Sequence, residues 1–307
     1  MITGTVSKLC VTHQPDNDER TMTKAFVTGA SGYLAHRLVP ILANHAAITA
    51  VSRQPLTHNV PRVAFQSLDI TDPVASAKTI HKAHPDVIVH AAAANPGHDE
   101  ATMWAVNFEA TKSLARIAGE LGIRMVFIST DIVHNGSDAP YADDATADPL
   151  NAYGRSKAAG EEATLANCKN AIVARTSLIY GLEQIDRGTA GFIKKLEAGE
   201  ALTLFQDVLR QPVWIDSLCR AIGLLAFERT VEIGTINLAG DQVVSRADFA
   251  LKMLRHWGVN SDNINLTSGR SIEGLPLDCT LQLERATGLG IDLPGVDAVL
   301  DAAPGTA

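Results

Sequence analysis

The stretch Thr28-Gly29-Ala30-Ser31-Gly32-Tyr33-Leu34-Ala35 follows a short apolar run and precedes apolar residues at helical spacing. A strand, a glycine turn and a helix in this order form a phosphate-binding site. Gly29 suits the tight turn, Gly32 lets a pyrophosphate approach the backbone, and the helix N-terminus offers unpaired N–H groups. The stretch therefore predicts a dinucleotide site that includes Gly29, Ser31, Gly32, Tyr33 and Leu34.

Tyr153 and Lys157 stand four positions apart at the start of a predicted helix, so they share one helix face. An ammonium next to a phenol favours the phenolate, and we expect a lowered pKa for Tyr153. Such a phenol exchanges a proton with a substrate oxygen near neutral pH. Taken alone, a pair of this kind is more often a surface contact without a catalytic role.

Together, the two motifs resemble the extended short-chain dehydrogenase/reductase family, over nearly all of the chain after residue 22. Within that family the chain is most similar to the dTDP-4-dehydrorhamnose reductase group, through segments 127–131, 149–157 and 175–181. The resemblance implies that Thr130 hydrogen-bonds the substrate carbonyl and that Tyr153 donates the proton. It also implies that Lys157 holds the nicotinamide ribose and tunes Tyr153.

Apolar segments alternate with helical ones, which predicts an α/β fold with a doubly wound parallel (Rossmann) sheet. The predicted strands cover 25–27, 47–51, 63–68, 86–90, 125–128 and 171–175, and the clearest helix covers 102–121. We expect residues 1–22 to be a disordered leader and 23–180 to be the dinucleotide-binding domain, with a return segment near 212–230. Residues 181–307 are expected to form mainly a smaller, interleaved substrate-binding region.

The residues after the second predicted strand distinguish the two nicotinamide cofactors. This chain has Ser52 and Arg53 there and no carboxylate. A hydroxyl and a guanidinium match a ribose 2′-phosphate, so NADP(H) is favoured and NAD(H) is the alternative. The family resemblance adds further cofactor contacts: Asp69 and Ile70 at the adenine, Ala91, Ala92 and Ala93 along the ribose and pyrophosphate, and Asn107 as a brace of the active-site strand.

The resemblance also implies substrate contacts, with Arg210 at the nucleotide phosphates and Asp131 at a substrate hydroxyl. The chain departs from the reductase pattern at 132–136 and at Leu178, near the expected sugar pocket. A nucleotide-sugar ketone is therefore expected, without a particular sugar.

Two alternatives stay open. One is a nucleotide-sugar epimerase or dehydratase; dehydratases of the family carry a glutamate where this chain has Ile132, and Arg53 argues against a tightly held NAD. The other is a non-catalytic NADP-binding regulatory subunit, as in the methionine adenosyltransferase beta subunit. Retention of Thr130, Tyr153 and Lys157 argues for catalysis.

The composition of the chain limits the classes of partner that it is expected to bind. The chain has 307 residues, 46% of them hydrophobic, and a formal net charge of −8, which argues against nucleic acid and anionic membranes. No run of 18 apolar residues exists. Four scattered cysteines without a C-x-x-C pair predict a reducing, cytoplasmic location with no disulfide framework. His90 and His134 lack metal-ligand spacing, so no metal is predicted, and analogy with the family suggests a homodimer.

Overall fold

A central parallel sheet organises the computed structural model, which describes residues 22–56 and 59–303. The expected leader therefore lies outside the described residues except for Met22. The strands, in chain order, are Lys24–Thr28 (β1), Ala47–Ser52 (β2), Val63–Ser67 (β3), Val87–His90 (β4), Arg124–Thr130 (β5), Ala171–Thr176 (β6), Ile179–Tyr180 (β7), Leu202–Phe205 (β8), Leu209–Arg210 (β9), Val213–Trp214 (β10), Gly234–Leu238 (β11), Val244–Ser245 (β12) and Ile264–Thr267 (β13).

Seven strands form the sheet, in the order β11-β6-β5-β4-β1-β2-β3, and every neighbouring pair is parallel. The central strands are buried along almost their whole length because helices cover both faces. The strand order reverses between β1 and β4, whose last residues, Thr28 and His90, lie side by side. In open α/β sheets a ligand crevice forms at the carboxyl ends of the strands at such a reversal. The predicted Rossmann-like α/β fold is confirmed.

The α-helices pack on the two faces of this sheet. In chain order they are Tyr33–Leu42 (α1), Pro73–Ala83 (α2), Glu100–Trp104 (α3), Thr111–Leu121 (α4), Ala152–Asn167 (α5), Arg187–Glu197 (α6), Ile215–Gly223 (α7), Arg246–His256 (α8), Glu284–Gly288 (α9) and Val296–Ala302 (α10). The predicted helix 102–121 is three segments, because a π-helical stretch at Ala105–Ala110 joins α3 to α4. A second π-helical stretch, Leu224–Glu228, follows α7.

Two apolar cores result, one on each face of the sheet. Helices α1 and α7 cover one face, through Leu38 and Leu218 among others, and α2 and α4 cover the other, through Ile80 and Leu114. These four side chains are fully buried, and each contributes about 1.5–3 kcal/mol of burial free energy. Both faces of the sheet are thereby fixed, and the ends of its strands are free to carry a site.

The C-terminal region returns to the sheet more than once. Helix α7 lies within the predicted return segment 212–230, but the seventh strand, β11, lies after it and pairs with β6. Three small two-stranded ladders, β7–β10, β9–β12 and β8–β13, connect the rest. The predicted division at residue 180 stays a prediction.

Arg124, at the start of β5, links this region to the sheet. Its buried guanidinium donates to the backbone carbonyl oxygens of residues 225, 229, 230 and 232, and to the side chain of Asn170. Those carbonyls belong to the second π-helical stretch and to the turn between it and β11. The arginine therefore fixes the path by which the chain re-enters the sheet.

The described residues also bear on membrane spans, cysteines and metal sites. Within residues 22–56 and 59–303, no helix is both long and apolar enough to cross a membrane. Cys168, Cys219 and Cys279 are free and buried, and Cys10 lies outside the described part of the chain. In that same part, no three His, Cys, Asp or Glu side chains are grouped so that they could hold a metal ion.

Candidate active site

The glycine turn between β1 and α1 lies at the reversal of strand order. Gly29 has φ +69°, and a β-carbon there would lie 2.7 Å from the Cα and from the amide nitrogen of Ala92. Gly32 is the N-cap of α1; no side chain caps this helix end, and its first turn holds no acidic residue. The turn is therefore tight against the end of β4 and leaves the N–H groups of α1 available to an anion.

Not every predicted residue of this turn faces a ligand with its side chain. Ser31 and Gly32 are exposed, whereas Leu34 is packed in the core, so its side chain is closed to a ligand. Tyr33 is half-buried and its hydroxyl donates to the carbonyl oxygen of Gln184 at 2.9 Å. Tyr33 thus holds the loop between β7 and α6, a role that the sequence pattern did not indicate.

The ends of β2 and β3 carry the predicted ribose and adenine contacts. The Ser52 hydroxyl donates to the carbonyl oxygen of Gln54 at 2.5 Å, so its proton is already engaged. Hydrogen bonds from Thr71, and to a smaller extent the positive charge of the exposed Arg53, lower the pKa of Asp69. Asp69 is exposed and Ile70 is buried. The structure places an accessible guanidinium and an accessible carboxylate at this end of the crevice.

Ala91 and Ala92 follow β4 and are half-buried, and Ala93 is exposed. Asn107 lies behind them and is fully buried; its amide exchanges two hydrogen bonds with the backbone of Ala94, at 2.8 and 3.0 Å. It also donates to the Ser156 hydroxyl on α5 at 3.0 Å. All three bonds are internal to the protein, so Asn107 braces the loop after β4 against α5 and does not itself reach a cofactor.

His90, the last residue of β4, is fully buried behind the crevice. Its ring nitrogens are hydrogen-bonded to the hydroxyls of Thr28, at 2.7 Å, and Thr111, at 2.9 Å. Burial and the nearby Lys157 ammonium lower the pKa of His90 to about 3, so the ring is neutral. Thr28 in turn accepts from the Ala92 amide at 3.2 Å. The histidine therefore ties together the ends of β1 and β4 around the glycine turn.

Helix α5 brings Tyr153 to the end of β5. Asn151 caps the helix by accepting from the Gly154 amide. A β-carbon at Gly154 would collide with the carbonyl oxygen of Ile132, so only glycine permits this close approach. As a result, the Tyr153 hydroxyl contacts Thr130, whose side chain donates to Asp131 at 3.2 Å. The structure brings the predicted Thr130, Asp131 and Tyr153 together.

The expected lowering of the Tyr153 pKa is wrong for this structure. Burial, and then the negative charge of Asp131, raise the pKa of Tyr153, and the contact with Thr130 opposes them only in part. Lys157 lies one turn further along α5, and its ammonium donates to the carbonyl oxygen of Ile128. The phenol is accordingly neutral and carries its proton.

Lys157 is 1% exposed. Its Nζ donates to the carbonyl oxygen of Ile128 at 2.7 Å and lies 4.1 Å from the centre of the Phe127 ring. Burial lowers the pKa of Lys157 to about 7, and the carboxylate of Glu161 opposes this shift. The ammonium therefore lies beneath the end of β5, close to its titration point at neutral pH.

Asp131 and Arg210 form a buried pair on the substrate side of Thr130. Arg210 Nε lies 3.6 Å from Asp131 Oδ2, and the Ser177 hydroxyl donates to the same oxygen at 2.7 Å. The other nitrogens of Arg210 donate to the carbonyl oxygens of residues 209, 276 and 277. Because the Arg210 side chain is 4% exposed and its donors are occupied, the predicted contact with nucleotide phosphates is not open to it in this structure.

A second buried cluster, of Glu161, Arg175, His134 and Tyr141, supports α5 and was not predicted from the sequence. Arg175 holds the Glu161 carboxylate with three N–H···O bonds of 2.8–3.1 Å, and its third nitrogen lies 3.3 Å from His134 Nε2. The His134 ring stacks on Tyr141, with centroids 3.9 Å apart. Burial and Arg175 lower the pKa of His134 to about 4, so this ring is also neutral. The cluster connects the active-site helix to the loop that follows β5.

With this geometry established, comparison with known proteins identifies the family. The model of the RmlD substrate binding domain matches residues 23–273. The chain belongs to this family. A dTDP-4-keto-6-deoxy-D-glucose reductase of Streptomyces niveus is 33% identical over 208 residues, which are 64% of this chain and 66% of that protein, just under two thirds of its length. The methionine adenosyltransferase 2 subunit beta of Bos taurus is 25% identical over 283 residues, 87% of this chain and 83% of that protein.

The fold of this RmlD-family chain also matches solved structures. The dTDP-4-dehydrorhamnose reductase of Bacillus anthracis, crystallised in complex with NADP, superposes with a TM-score of 0.74 at 21% identity, over 91% of this chain and 97% of that one. At that identity the match concerns the fold alone. The expected resemblance to extended short-chain dehydrogenases, and to the dTDP-4-dehydrorhamnose reductase group among them, is confirmed.

Proposed function

We propose that this protein is an NADP(H)-dependent reductase that converts a keto group of a nucleotide sugar to an alcohol. The observation that carries the proposal is the contact between the Tyr153 hydroxyl and Thr130 at the end of β5, which is separated by one strand, β4, from the strand that leads into the glycine turn. Family membership and the relative named as a dTDP-4-keto-6-deoxy-D-glucose reductase support the substrate class.

The residues present fit a dinucleotide. The turn at Gly29 has no space for a side chain, and the end of α1 has neither a capping side chain nor a first-turn carboxylate. A pyrophosphate would occupy this end, while Arg53 would meet a 2′-phosphate. Bound there, the cofactor supplies a hydride. The absence of a carboxylate at positions 52–54 is the reason to favour NADP(H) over NAD(H).

The chain's own residues supply the proton and the orientation. A phenol with a raised pKa is protonated at neutral pH, and in this form Tyr153 donates to the carbonyl oxygen as that oxygen gains negative charge. Thr130 offers a second hydroxyl to the same oxygen. The Lys157 ammonium, held by the carbonyl oxygen of Ile128 at 2.7 Å, lies one helical turn from Tyr153 and would hold the nicotinamide ribose.

A regulatory subunit is the second candidate, because similarity to a methionine adenosyltransferase 2 subunit beta extends over 87% of the chain. Such a subunit would bind the cofactor without turning over a substrate. The reductase is preferred because Thr130, Tyr153 and Lys157 are all retained and the first two are in contact.

Oxidation of NADPH, followed at its nicotinamide absorbance with a panel of 4-keto nucleotide sugars, tests the proposal. Tyr153→Phe should lower kcat by about 10²–10⁴-fold, the usual contribution of a general acid. Tyr180→Phe is the matched control, because its hydroxyl is buried without a hydrogen-bond partner in the described structure. Binding of NADPH without turnover over the whole panel would instead favour the regulatory subunit.

A further inference from the structure

Asp131 follows Thr130 directly, and protein groups engage both oxygens of its carboxylate. The side chain is 6% exposed. Oδ2 accepts from the Ser177 hydroxyl at 2.7 Å and lies 3.6 Å from Arg210 Nε. Oδ1 accepts from the Thr130 hydroxyl at 3.2 Å. One oxygen therefore fixes the carboxylate in the protein, and the other holds the hydroxyl that the proposed reaction uses.

The Thr130 hydroxyl has a single hydrogen, so the direction of its hydrogen bonds can be counted. A hydroxyl donates one hydrogen bond and accepts up to two. The hydrogen of Thr130 is directed to Asp131, and the Ile132 amide donates to Thr130 Oγ1 at 3.4 Å. The contact with the Tyr153 hydroxyl is left to the second lone pair, so Tyr153 donates and Thr130 accepts. A directed chain of hydrogen bonds thus runs from Tyr153 through Thr130 to Asp131.

The direction of this chain affects a ketone and an alcohol differently. A carbonyl oxygen has lone pairs and no hydrogen, so it accepts from Tyr153 but receives a hydrogen bond from Thr130 only if that hydroxyl turns away from Asp131. A neutral carbonyl is a weaker acceptor than a carboxylate and does not win this hydrogen. The bond to Asp131 is nevertheless long, at 3.2 Å against about 2.5–2.7 Å for typical hydroxyl–carboxylate bonds. An oxygen that gains negative charge can therefore compete for it.

We propose that Asp131 is a positioning residue, which withholds the Thr130 hydrogen bond from the neutral ketone and releases it to the same oxygen as charge develops in the transition state. The inference rests on the proposed function, which supplies the ketone. Thr130 then stabilises the transition state more than the bound substrate, and only such an interaction raises kcat. The alcohol product carries a hydrogen of its own and donates it to Thr130 without disturbing Asp131.

Asp131→Asn reverses the direction of the bond to Thr130. The amide oxygen takes the place of Oδ2, where Ser177 donates, so the amide nitrogen replaces Oδ1 and donates to Thr130. The hydrogen of Thr130 is then free for the ketone. We expect Asp131→Asn to bind the ketone about two- to tenfold more tightly, the range for one hydrogen bond, and to bind the alcohol within about twofold of the wild type, because an alcohol both donates and accepts.

Calorimetric titration of the full chain measures both affinities without turnover, with the ketone added to the NADP+ complex and the alcohol added to the NADPH complex. The probes are the 4-keto nucleotide sugar of the panel that the wild type reduces and the alcohol formed from it. A merely structural role of Asp131 would weaken binding of both ligands alike. Ser177→Ala is the matched control, because it removes a hydrogen bond from Oδ2 and leaves the bond to Thr130 in place, so the ratio of the two affinities should not change.

Thr130→Val tests the same point with the Asp131–Arg210 pair intact, and it decides the matter if Asp131→Asn does not fold. Because Thr130 gives the neutral ketone no hydrogen bond, Thr130→Val should bind the ketone within about twofold of the wild type while kcat falls about 10²–10³-fold, the usual loss of one oxyanion donor. Ketone binding weakened more than about threefold in Thr130→Val, or an unchanged ratio of affinities in Asp131→Asn, would overturn the inference and leave the reductase proposal standing. A wild type that reduces no ketone of the panel would overturn both.

Discussion

The ammonium of Lys157 donates to the carbonyl oxygen of Ile128, two residues before the end of β5, and the helix and the strand that form the site are thereby joined through a buried charge. This bond orients the lysine while burial opposes its protonation. The same group is therefore a catalytic candidate and a source of pH-dependent stability.

Stability of the ligand-free protein should rise with pH on account of Lys157. Its pKa falls from 10.5 in the unfolded chain to about 7 in the folded protein, so between these values the folded state binds fewer protons. The free energy of unfolding of the wild type should increase relative to that of Lys157→Met by up to about 1.4 kcal/mol per pH unit across this window. Denaturant unfolding of both proteins at pH 7, 8 and 9 measures the difference.

Lys169→Met provides the control, because Lys169 is exposed and its substitution should leave the pH profile parallel to that of the wild type. Parallel profiles for Lys157→Met as well would show that the Lys157 pKa is not lowered.

Gly29→Ala should be severely destabilising. The left-handed φ of +69° costs a side chain about 1–2 kcal/mol, and the overlap with Ala92 adds about 1–3 kcal/mol. Gly258→Ala separates the two contributions, since Gly258 has φ +67° and no atom within 4 Å of the added carbon. We expect Gly29→Ala to lower the free energy of unfolding by at least about 1 kcal/mol more than Gly258→Ala; equal losses would mean that the overlap relaxes freely.

Ser177→Ala should destabilise the protein in a pH-dependent way. The Ser177 hydroxyl stabilises the Asp131 carboxylate, whose pKa burial already raises. Loss of this bond should cost about 1.5–3 kcal/mol at the higher of two pH values, where more of the Asp131 carboxyl is ionised, and less at the lower one, where more of it is protonated. Thermal unfolding at the two pH values gives the comparison.

Thr176→Val is the neighbouring control, because the Thr176 hydroxyl is buried without a partner in the described structure and its removal breaks no hydrogen bond. A loss for Ser177→Ala that is the same at both pH values would contradict the assigned role.

Glu161→Gln should leave the Arg175 guanidinium buried without its counter-charge. Breaking one side of a buried ion pair costs about 3–5 kcal/mol, whereas an exposed helical pair contributes less than about 1 kcal/mol. The exposed pair Arg116–Glu120 provides the comparison, through Glu120→Gln. Chemical denaturation of the two variants should differ by at least about 2 kcal/mol, and similar losses would indicate that Arg175 finds other acceptors.

Much of the fold could be predicted from local sequence patterns. The run before Gly29 and the alternation of apolar and helical segments depend on neighbours in sequence. The structure has β1, the other five predicted strands and α5 where these patterns place them. The π-helical stretch at Ala105–Ala110 was not visible, because its apolar residues recur at threes and fours as in an α-helix.

The pKa values and ion pairs of the site could not be predicted from local sequence patterns. The pKa of Tyr153 depends on how far the phenol is buried and on Asp131, which the fold brings from another element. The pairing of Glu161 with Arg175, 14 residues apart, and the enclosure of Arg210 by the loop at 276–277 are likewise tertiary. A guanidinium that is free and one that is enclosed look alike in a sequence, so the enclosure of Arg210 could not be predicted. The one local signal for the close approach of α5 was Gly154 beside Tyr153.

The hydrogen bonds from Arg124 to the backbone before β11 bear on whether the predicted dinucleotide-binding region, residues 23–180, could fold by itself. A chain ending near residue 180 would leave several N–H donors of a buried guanidinium facing nothing, and would expose one side of β6. We therefore expect the two regions to fold as one cooperative unit, and we expect the first not to fold when it is joined to a different substrate region.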